Sequence, residues 1–552
     1  MKRNSIPRFI RAVCLLLFFF PGLYFTGKSQ GFSPATEARL QFVLDSFINN
    51  PVSPFVGGMS AAINVDGLAT WQGASGFAAR NTDAANNLLP GGTPFSVQSN
   101  SRYYSITKTF TSPLVLELAR EGYFSLDAPV SNFLPLSLIN PGLNGSVTIR
   151  QLLGHQSGYS NYTDEYMLQV YVAYQPTHVW TAFETLSFVH QIAAPGAERR
   201  YSSTNYIMLG AIVELVTGKT MEQHYRERFF TPLHYSSMYL TERESVNGHG
   251  ELAAPHDNLS VFNPVFMMTG QPTFPDSWTN ISRFPMTAVA SLAFSGGGIA
   301  GNAAELARWG NDLFGGRATS AATLRTMLQS IPSTPDEDGD YLGYGIWTNH
   351  RISATDYFVG HNGTAPGYRS VMMYQPDRKM TIVVLTNFYG SDPYLVAKKL
   401  YESLPQFLCG NGNNPEKKIL VCFKGKDLCI ARPAVPAHIR NGAWLGSCQG
   451  TVTLTAKSGE IIPMPDDKTF SVYPNPFSNE VLISFRSPEN GMVSLELYDL
   501  TGKRLHTLYS GSLQKGMYHQ VRFHAEGMAN GMYICRLQTP AGISQHKLIL
   551  NR

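Results

Sequence analysis

Three kinds of hydrophobic patterning succeed one another along the 552-residue chain. Near the start, Lys2, Arg3, Arg8 and Arg11 precede an apolar run from Ala12 to Phe20, and small and polar residues follow from Gly27 to Gln30. That order is the order of a secretory signal peptide, with cleavage expected between Phe25 and Gly31. Pro21-Gly22 interrupts the run well short of the ~18 apolar residues that a membrane span needs. Residues 31–405 then alternate helix-period and strand-period stretches without internal repeats, which predicts one large α+β domain. A helix is expected where Phe110, Leu114, Leu116 and Leu118 recur before Glu121-Gly122, and another where Ile207, Leu209, Ile212, Val213 and Val216 recur before Gly218. Pro113 lies inside the first, and its ring conflicts with the Thr109 carbonyl, so a kink is expected there. From Phe470 the period falls to two, with Val493, Leu495 and Leu497 on one side and Ser494, Glu496 and Tyr498 on the other. Further strands are expected at Val481 to Phe485, Gln520 to Phe523, Tyr533 to Leu537 and Lys547 to Leu550, and together they predict a C-terminal β-sandwich.

The chain thus divides into a signal peptide (1–30), the α+β domain (31–405), a Cys-rich module and linker (406–468) and the sandwich (469–552). A Gly/Asn-rich stretch from Gly410 to Asn414 marks the second boundary. Beyond it, VCFKGKDLCI reads as a hairpin with Lys424-Gly425-Lys426 at its tip, which brings Cys422 across from Cys429. Cys409, Cys422, Cys429 and Cys448 lie within forty residues of each other, and an exported chain is expected to join them as disulfides; their three pairings stay open. Zinc is disfavoured, because six residues separate Cys422 from Cys429 where a zinc pair has two to four. Forty-three basic and 39 acidic residues leave a net charge of +4 with no long block, which argues against a nucleic-acid partner. No HExxH, Walker or dinucleotide fingerprint appears, and no metal or nucleotide cofactor is expected.

Candidate chemistry begins at Ser105-Ile106-Thr107-Lys108. A serine opening a helix and a lysine three residues on share one face. Burial and the positive helix end both disfavour charge on that lysine, so it can accept the serine proton. The spacing alone decides little, since Ser512–Lys515 and Ser544–Lys547 repeat it inside the expected β-sandwich, where no helix is predicted.

Longer blocks carry more. YSITKTFTSPLVLELAREGYFSLDAPVSNFLP from Tyr104, TIRQLLGHQSGY from Thr148, PGAERRYSSTNYIMLGAIVELVTGK from Pro195, FSGGGIAGNAAELARW from Phe294 and GHNGTAPGYRSVMMYQPDRKMTIVVLTN from Gly360 together resemble the serine β-lactamase and D-Ala-D-Ala carboxypeptidase family, class C type. The resemblance spans nearly the whole first domain, in the family's order. It implies an antiparallel sheet flanked by helices with a mainly helical subdomain, and an acyl-enzyme mechanism on an ester, a D-amino-acid amide or peptide, or a β-lactam. Ser105 would be the nucleophile, Lys108 its base and Tyr201 a proton shuttle, with phenolate character favoured by cations beside it. His361-Asn362-Gly363 matches the third motif: His361 would hydrogen-bond Tyr201 or an anionic group, and Gly363 would let substrate lie against the strand. The backbone N–H groups of Ser105 and Thr364 would form the oxyanion hole. Ser203 stands where the family usually has Asn and offers no amide, which leaves open a penicillin-recognising binding protein that binds or acylates without turnover. His155 and Ser157 belong to a structural block of the family, and Asn302 to Glu305 reads as a capping box after a glycine turn.

At the other end YPNPF at Tyr473, LYDLTGKRL at Leu497, GMYHQV at Gly516 and NGMYICRL at Asn530 resemble the sorting domain of type IX secretion. That resemblance implies recognition of residues 469–552 by outer-membrane secretion machinery, their removal at the surface, and a secreted or cell-surface destination. The mature chain is expected to be monomeric, with a small ester, amide or peptide as its substrate.

Overall fold

Residues 31–50, 55–336, 339–409 and 418–448, and 470–550 apart from short stretches, are described by the computed structural model. The expected signal peptide and the Gly410–Asn414 boundary lie outside these residues. Two units divide the chain between Val452 and Thr453.

The first unit is organised by an eight-stranded antiparallel sheet. Its strands are β1 (Gly58–Val65), β2 (Ala69–Thr82), β3 (Leu88–Pro94), β4 (Tyr341–Leu342), β5 (Trp347–Thr348), β6 (Val359–Ala365), β7 (Tyr368–Gln375) and β8 (Met380–Thr386). They run in the order β3-β2-β1-β8-β7-β6-β5-β4. The two ends of the domain's sequence therefore meet at the centre, where β1 pairs with β8 from Met59↔Thr386 to Val65↔Met380. Alternation divides the side chains between two cores. Ile63, Val371, Ile382 and Val384 pack beneath the helices Pro34–Ile48 and Pro393–Glu402, whereas Ala62, Met372, Val383 and Leu385 face Leu306 and Trp309 of the helix Ala303–Phe314. With helices on both faces, β8 is buried along its whole length and reads as the unbroken apolar run MTIVVLT.

Both sequence-predicted helices form. The first starts with a 3-10 turn, Tyr104–Thr107, and continues as an α-helix from Lys108 to Arg120. The helical assignment continues through Pro113. Phe110 stacks on Trp309 at 3.8 Å, and Trp309 Nε1 donates to Thr109 Oγ1 at 2.8 Å, which fixes this helix beside Pro113. The second runs from Thr204 to Thr217 and ends at Gly218, whose φ of 68° only glycine adopts freely. At Asn302 the expected capping box is half made: its side chain accepts from Glu305 N–H, but the Glu305 carboxylate accepts from Ser236 and Ser237 instead of reaching back.

The four-cysteine segment packs into the first unit. Ile419, Val421, Val435 and Leu445 share the core that holds Leu40, Leu404 and Phe407. The expected hairpin forms, Lys418–Phe423 against Lys426–Ile430, but with a two-residue turn, so Phe423 faces Lys426 and Cys422 faces Asp427. Cys429 stands opposite Leu420, and the disulfides are Cys409–Cys429 and Cys422–Cys448. The expected juxtaposition of Cys422 and Cys429 is corrected accordingly.

The second unit is a β-sandwich. One sheet orders Phe470–Tyr473, Glu480–Arg486 and Tyr518–His524, and the other orders Arg504–Leu513, Gly491–Tyr498, Gly531–Thr539 and Gly542–Leu550. Val481, Ile483 and Phe485 of the first share a core with Val493, Leu495 and Leu497 of the second. Among the described residues, no helix is long and apolar enough to cross a membrane.

Candidate active site

Four segments far apart in sequence converge on Ser105. The 3-10 turn sets the serine on the first turn ahead of Lys108, and the residue before it, Tyr104, takes a φ of 46°. A bulky residue in that region is strained, and such strain concentrates at functional sites. The Tyr104 ring packs beside Tyr368, and its hydroxyl is buried without a hydrogen-bond partner.

Lys108 is fully buried. Its Nζ lies 3.0 Å from Ser105 Oγ, 3.2 Å from Ser203 Oγ and 2.7 Å from the Gly296 carbonyl oxygen. Burial holds its pKa well below the ordinary 10.5. A neutral amine has two N–H groups and one lone pair. The Gly296 carbonyl can only accept, so it takes one N–H, and the hydroxyls of Ser105 and Ser203, each able to donate or accept, hold the other two positions.

Tyr201 OH donates to Ser105 Oγ at 2.8 Å. Its ring lies over Lys108 Nζ at 5.1 Å and against His155 at a centroid distance of 4.6 Å. Burial pushes this phenol up to about 12, against the smaller opposing pull of hydrogen bonds from Ser105 and Ser203. Desolvation thus opposes the phenolate character expected of Tyr201.

His361 is buried and stacks flat on Trp347, with centroids 4.2 Å apart and planes at 17°. Its Nδ1 donates to the Asn362 carbonyl oxygen at 2.6 Å, which leaves Nε2 as an acceptor. Burial pushes its pKa down to about 3, so it presents no charge to an anionic group. The Tyr201 and His361 ring centroids are 6.1 Å apart. At Gly363 a side chain would run into the Tyr103 carbonyl oxygen and come within 3.1 Å of Ser105 N. The missing side chain thus lets β6 approach the chain's own nucleophile turn, a different use from the expected approach of substrate. Thr364, the next residue, is exposed and pairs with Arg369 across the β6–β7 hairpin.

His155 and Ser157 sit behind the site. His155 Nδ1 accepts from Ser202 N–H at 3.2 Å while its ring supports Tyr201, and Ser157 Oγ donates to Asn205 Oδ1 at 2.6 Å. Three contributors were not singled out in the sequence. The Gly296 carbonyl is main chain and carries no residue signal; Asn161, whose Oδ1 accepts from Ser203 N–H at 3.0 Å, lies forty-two residues away; and Trp347 reads as an ordinary strand residue. A separate cavity of ≈ 950 Å³, lined by Arg102, Tyr239, Glu242, Arg243 and Leu252 among others, includes none of Ser105, Lys108, Tyr201 or His361.

The fold is that of a family of hydrolases, and the cluster sets a lysine within hydrogen-bond distance of a serine one helical turn before it. The family model described as Beta-lactamase matches residues 49–404, and the chain belongs to that family. Residues 471–551 match the Secretion system C-terminal sorting domain, so the protein is secreted or held at the cell surface. Penicillin-binding protein 4 of Amycolatopsis lactamdurans is 26% identical over 318 residues, 55% of this chain and 77% of that protein. Protein flp of Staphylococcus aureus (strain MRSA252) is 26% identical over 298 residues, and the match covers about half of each, 53% of this chain and 53% of flp. Among solved structures, the D-stereospecific amidohydrolase from a Streptomyces species superposes with a TM-score of 0.53 at 23% identity, covering 66% of this chain and 98% of that one, which establishes the fold.

Proposed function

We propose that the protein is a serine hydrolase that acts outside the cell through an acyl-enzyme at Ser105, on esters or D-amino-acid amides. The carrying observation is that Lys108 Nζ and Tyr201 OH both lie within hydrogen-bond distance of one serine oxygen, at 3.0 and 2.8 Å. Lys108, kept neutral by burial, takes the Ser105 proton as Oγ attacks the carbonyl carbon. The carbonyl oxygen then gains charge beside the N–H groups of Ser105 and Thr364. Tyr201, a neutral phenol, gives its proton to the departing alcohol or amine and regains one from Lys108. Water, deprotonated by the same pair, attacks the ester of Ser105 and returns the serine.

Ser203 narrows the substrate. Its hydroxyl holds Lys108, as the family's Asn would, but it supplies no amide donor for a peptide or β-lactam carbonyl. Entry into the export route would use residues 1–30, and the sorting region would be removed at the surface.

The reading is tested with a panel of a short-chain ester, a D-amino-acid amide, a D-Ala-D-Ala peptide and a cephalosporin reporter, using wild type and Ser105→Ala. Ester and amide turnover should exceed cephalosporin turnover and vanish in the variant. Equal rates in the two proteins would remove the enzyme reading. Stoichiometric labelling of Ser105 with no turnover of any substrate would establish the acylating binding protein instead.

A further inference from the structure

Two segments leave the site at different points and meet again in space. The first follows Asn161, which holds the Ser203 backbone, and Tyr162, a buried phenol whose ionisation feels both Tyr201 and Tyr104. It continues as the helix Tyr166–Tyr174. The second follows Asp257, whose Oδ2 accepts from Gly367 N–H at 2.8 Å in the turn between β6 and β7. It continues as the helix Asn263–Thr269. The helices pack on each other, with Ala173 of the first in one apolar cluster with Phe266 of the second and with Leu259 and Phe284.

Their outward faces are apolar as well. Tyr166 is 70% exposed and Met268 77%, and Met167, Tyr171, Tyr174, Val261 and Met267 are exposed with them. No Asp, Glu, Lys or Arg occurs from Tyr166 to Phe183 or from Asn258 to Pro275. A single exposed apolar side chain needs no explanation, but two adjoining uncharged segments that expose several do. The segments that lead into them touch the site, through Asn161 to Ser203 and through Asp257 to the turn that follows Thr364. Lys108 is committed to three polar partners, and His361 donates its one N–H to Asn362, so neither offers a free cation to a substrate carboxylate. Methionine side chains are flexible and adapt to chains of differing shape.

We propose that these two helices form an acyl-binding rim, which receives the aliphatic or aromatic acyl chain of an uncharged ester or amide whose carbonyl sits at Ser105. This rests on the serine-hydrolase reading above and adds the substrate class to it. A bilayer surface or a second copy of the chain is the competing occupant of the same patch, and each predicts a different result.

The experiment measures hydrolysis of p-nitrophenyl esters from acetyl to decanoyl by the secreted protein and by a Met267→Ser/Met268→Ser double variant, with fluorophosphonate labelling of Ser105 reporting that each is folded. In wild type kcat/KM should rise at least about tenfold from acetyl to octanoyl, mainly through KM, as added methylenes leave water. The double variant should lose most of that rise. A flat chain-length profile in wild type, or an unchanged slope in the variant, overturns the rim. A variant that alters molar mass in solution, or co-sedimentation with phosphatidylcholine vesicles, while the slope stays the same assigns the patch to self-association or to a membrane and overturns it as well. Absence of Ser105-dependent ester turnover overturns the rim, and absence of Ser105-dependent D-amino-acid amide turnover as well overturns the hydrolase reading with it.

Discussion

The lysine side and the histidine side of Ser105 make an instructive pair. Both basic groups are buried, and burial leads the causes that lower both pKa values. Lys108 nevertheless meets polar atoms in three directions, one of them the serine oxygen, while His361 lies flat on Trp347 and gives its N–H to the neighbouring carbonyl. Burial favours the neutral form of both bases; among the described residues, Lys108 has a hydrogen bond to Ser105 Oγ and His361 has one to the Asn362 carbonyl, so the proposed proton transfer is assigned to the lysine side.

The comparison can be broken by removing each side in turn. Lys108→Ala should slow fluorophosphonate labelling of Ser105 by about 10³-fold or more, since nothing else within reach takes the proton. Tyr201→Phe should keep labelling within about tenfold of wild type while ester turnover falls by about 10²-fold, because the leaving group loses its donor. His361→Gln should lower turnover by less than about tenfold and leave labelling intact. A silent His361→Gln beside a normally labelled Lys108→Ala would reverse the assignment and point to a histidine-based arrangement.

A smaller effect sharpens the same contrast through stability. His361 binds a proton more weakly in the folded chain than in the unfolded one, so the unfolded state gains stability as pH falls. The loss should begin near the ordinary value of 6.5 and continue toward about 3. It proceeds at up to about 1.4 kcal/mol per pH unit, and His155, lowered by the same burial, adds to it. Urea midpoints between pH 4 and 6.5 should fall less steeply for His361→Gln than for wild type; parallel curves would mean that His361 titrates normally.

What was legible in the sequence depended on whether the signal was local. Alternation at Val493, Leu495 and Leu497 led directly to the core of the sandwich, but the strand Arg504–Leu513 was not foreseen, because His506, Ser510 and Gly511 break the alternation in a strand at the sheet edge. At the site, the resemblance to the family picked out Ser105, Lys108, Tyr201, Ser203 and His361, and the fold brings all five together. Their protonation states were not legible. The phenolate expected of Tyr201 assumed two neighbouring cations, whereas burial, a property of the folded chain, lowers the pKa of both bases and raises that of the phenol. The same holds for the disulfides: four cysteines in a short span announce cross-links, but a two-residue turn sets the register that decides which sulfurs meet.

The central claim is that Lys108 rests as a neutral amine beside Ser105. Its side-chain carbons can be followed by NMR through a pH titration of isotopically labelled lysine, with the Lys108 resonance assigned by its disappearance in Lys108→Arg. The midpoint should lie well below the ordinary lysine value of 10.5, and the labelling rate of Ser105 should rise with pH through that same midpoint. A Lys108 resonance that titrates in the ordinary lysine range would contradict the account.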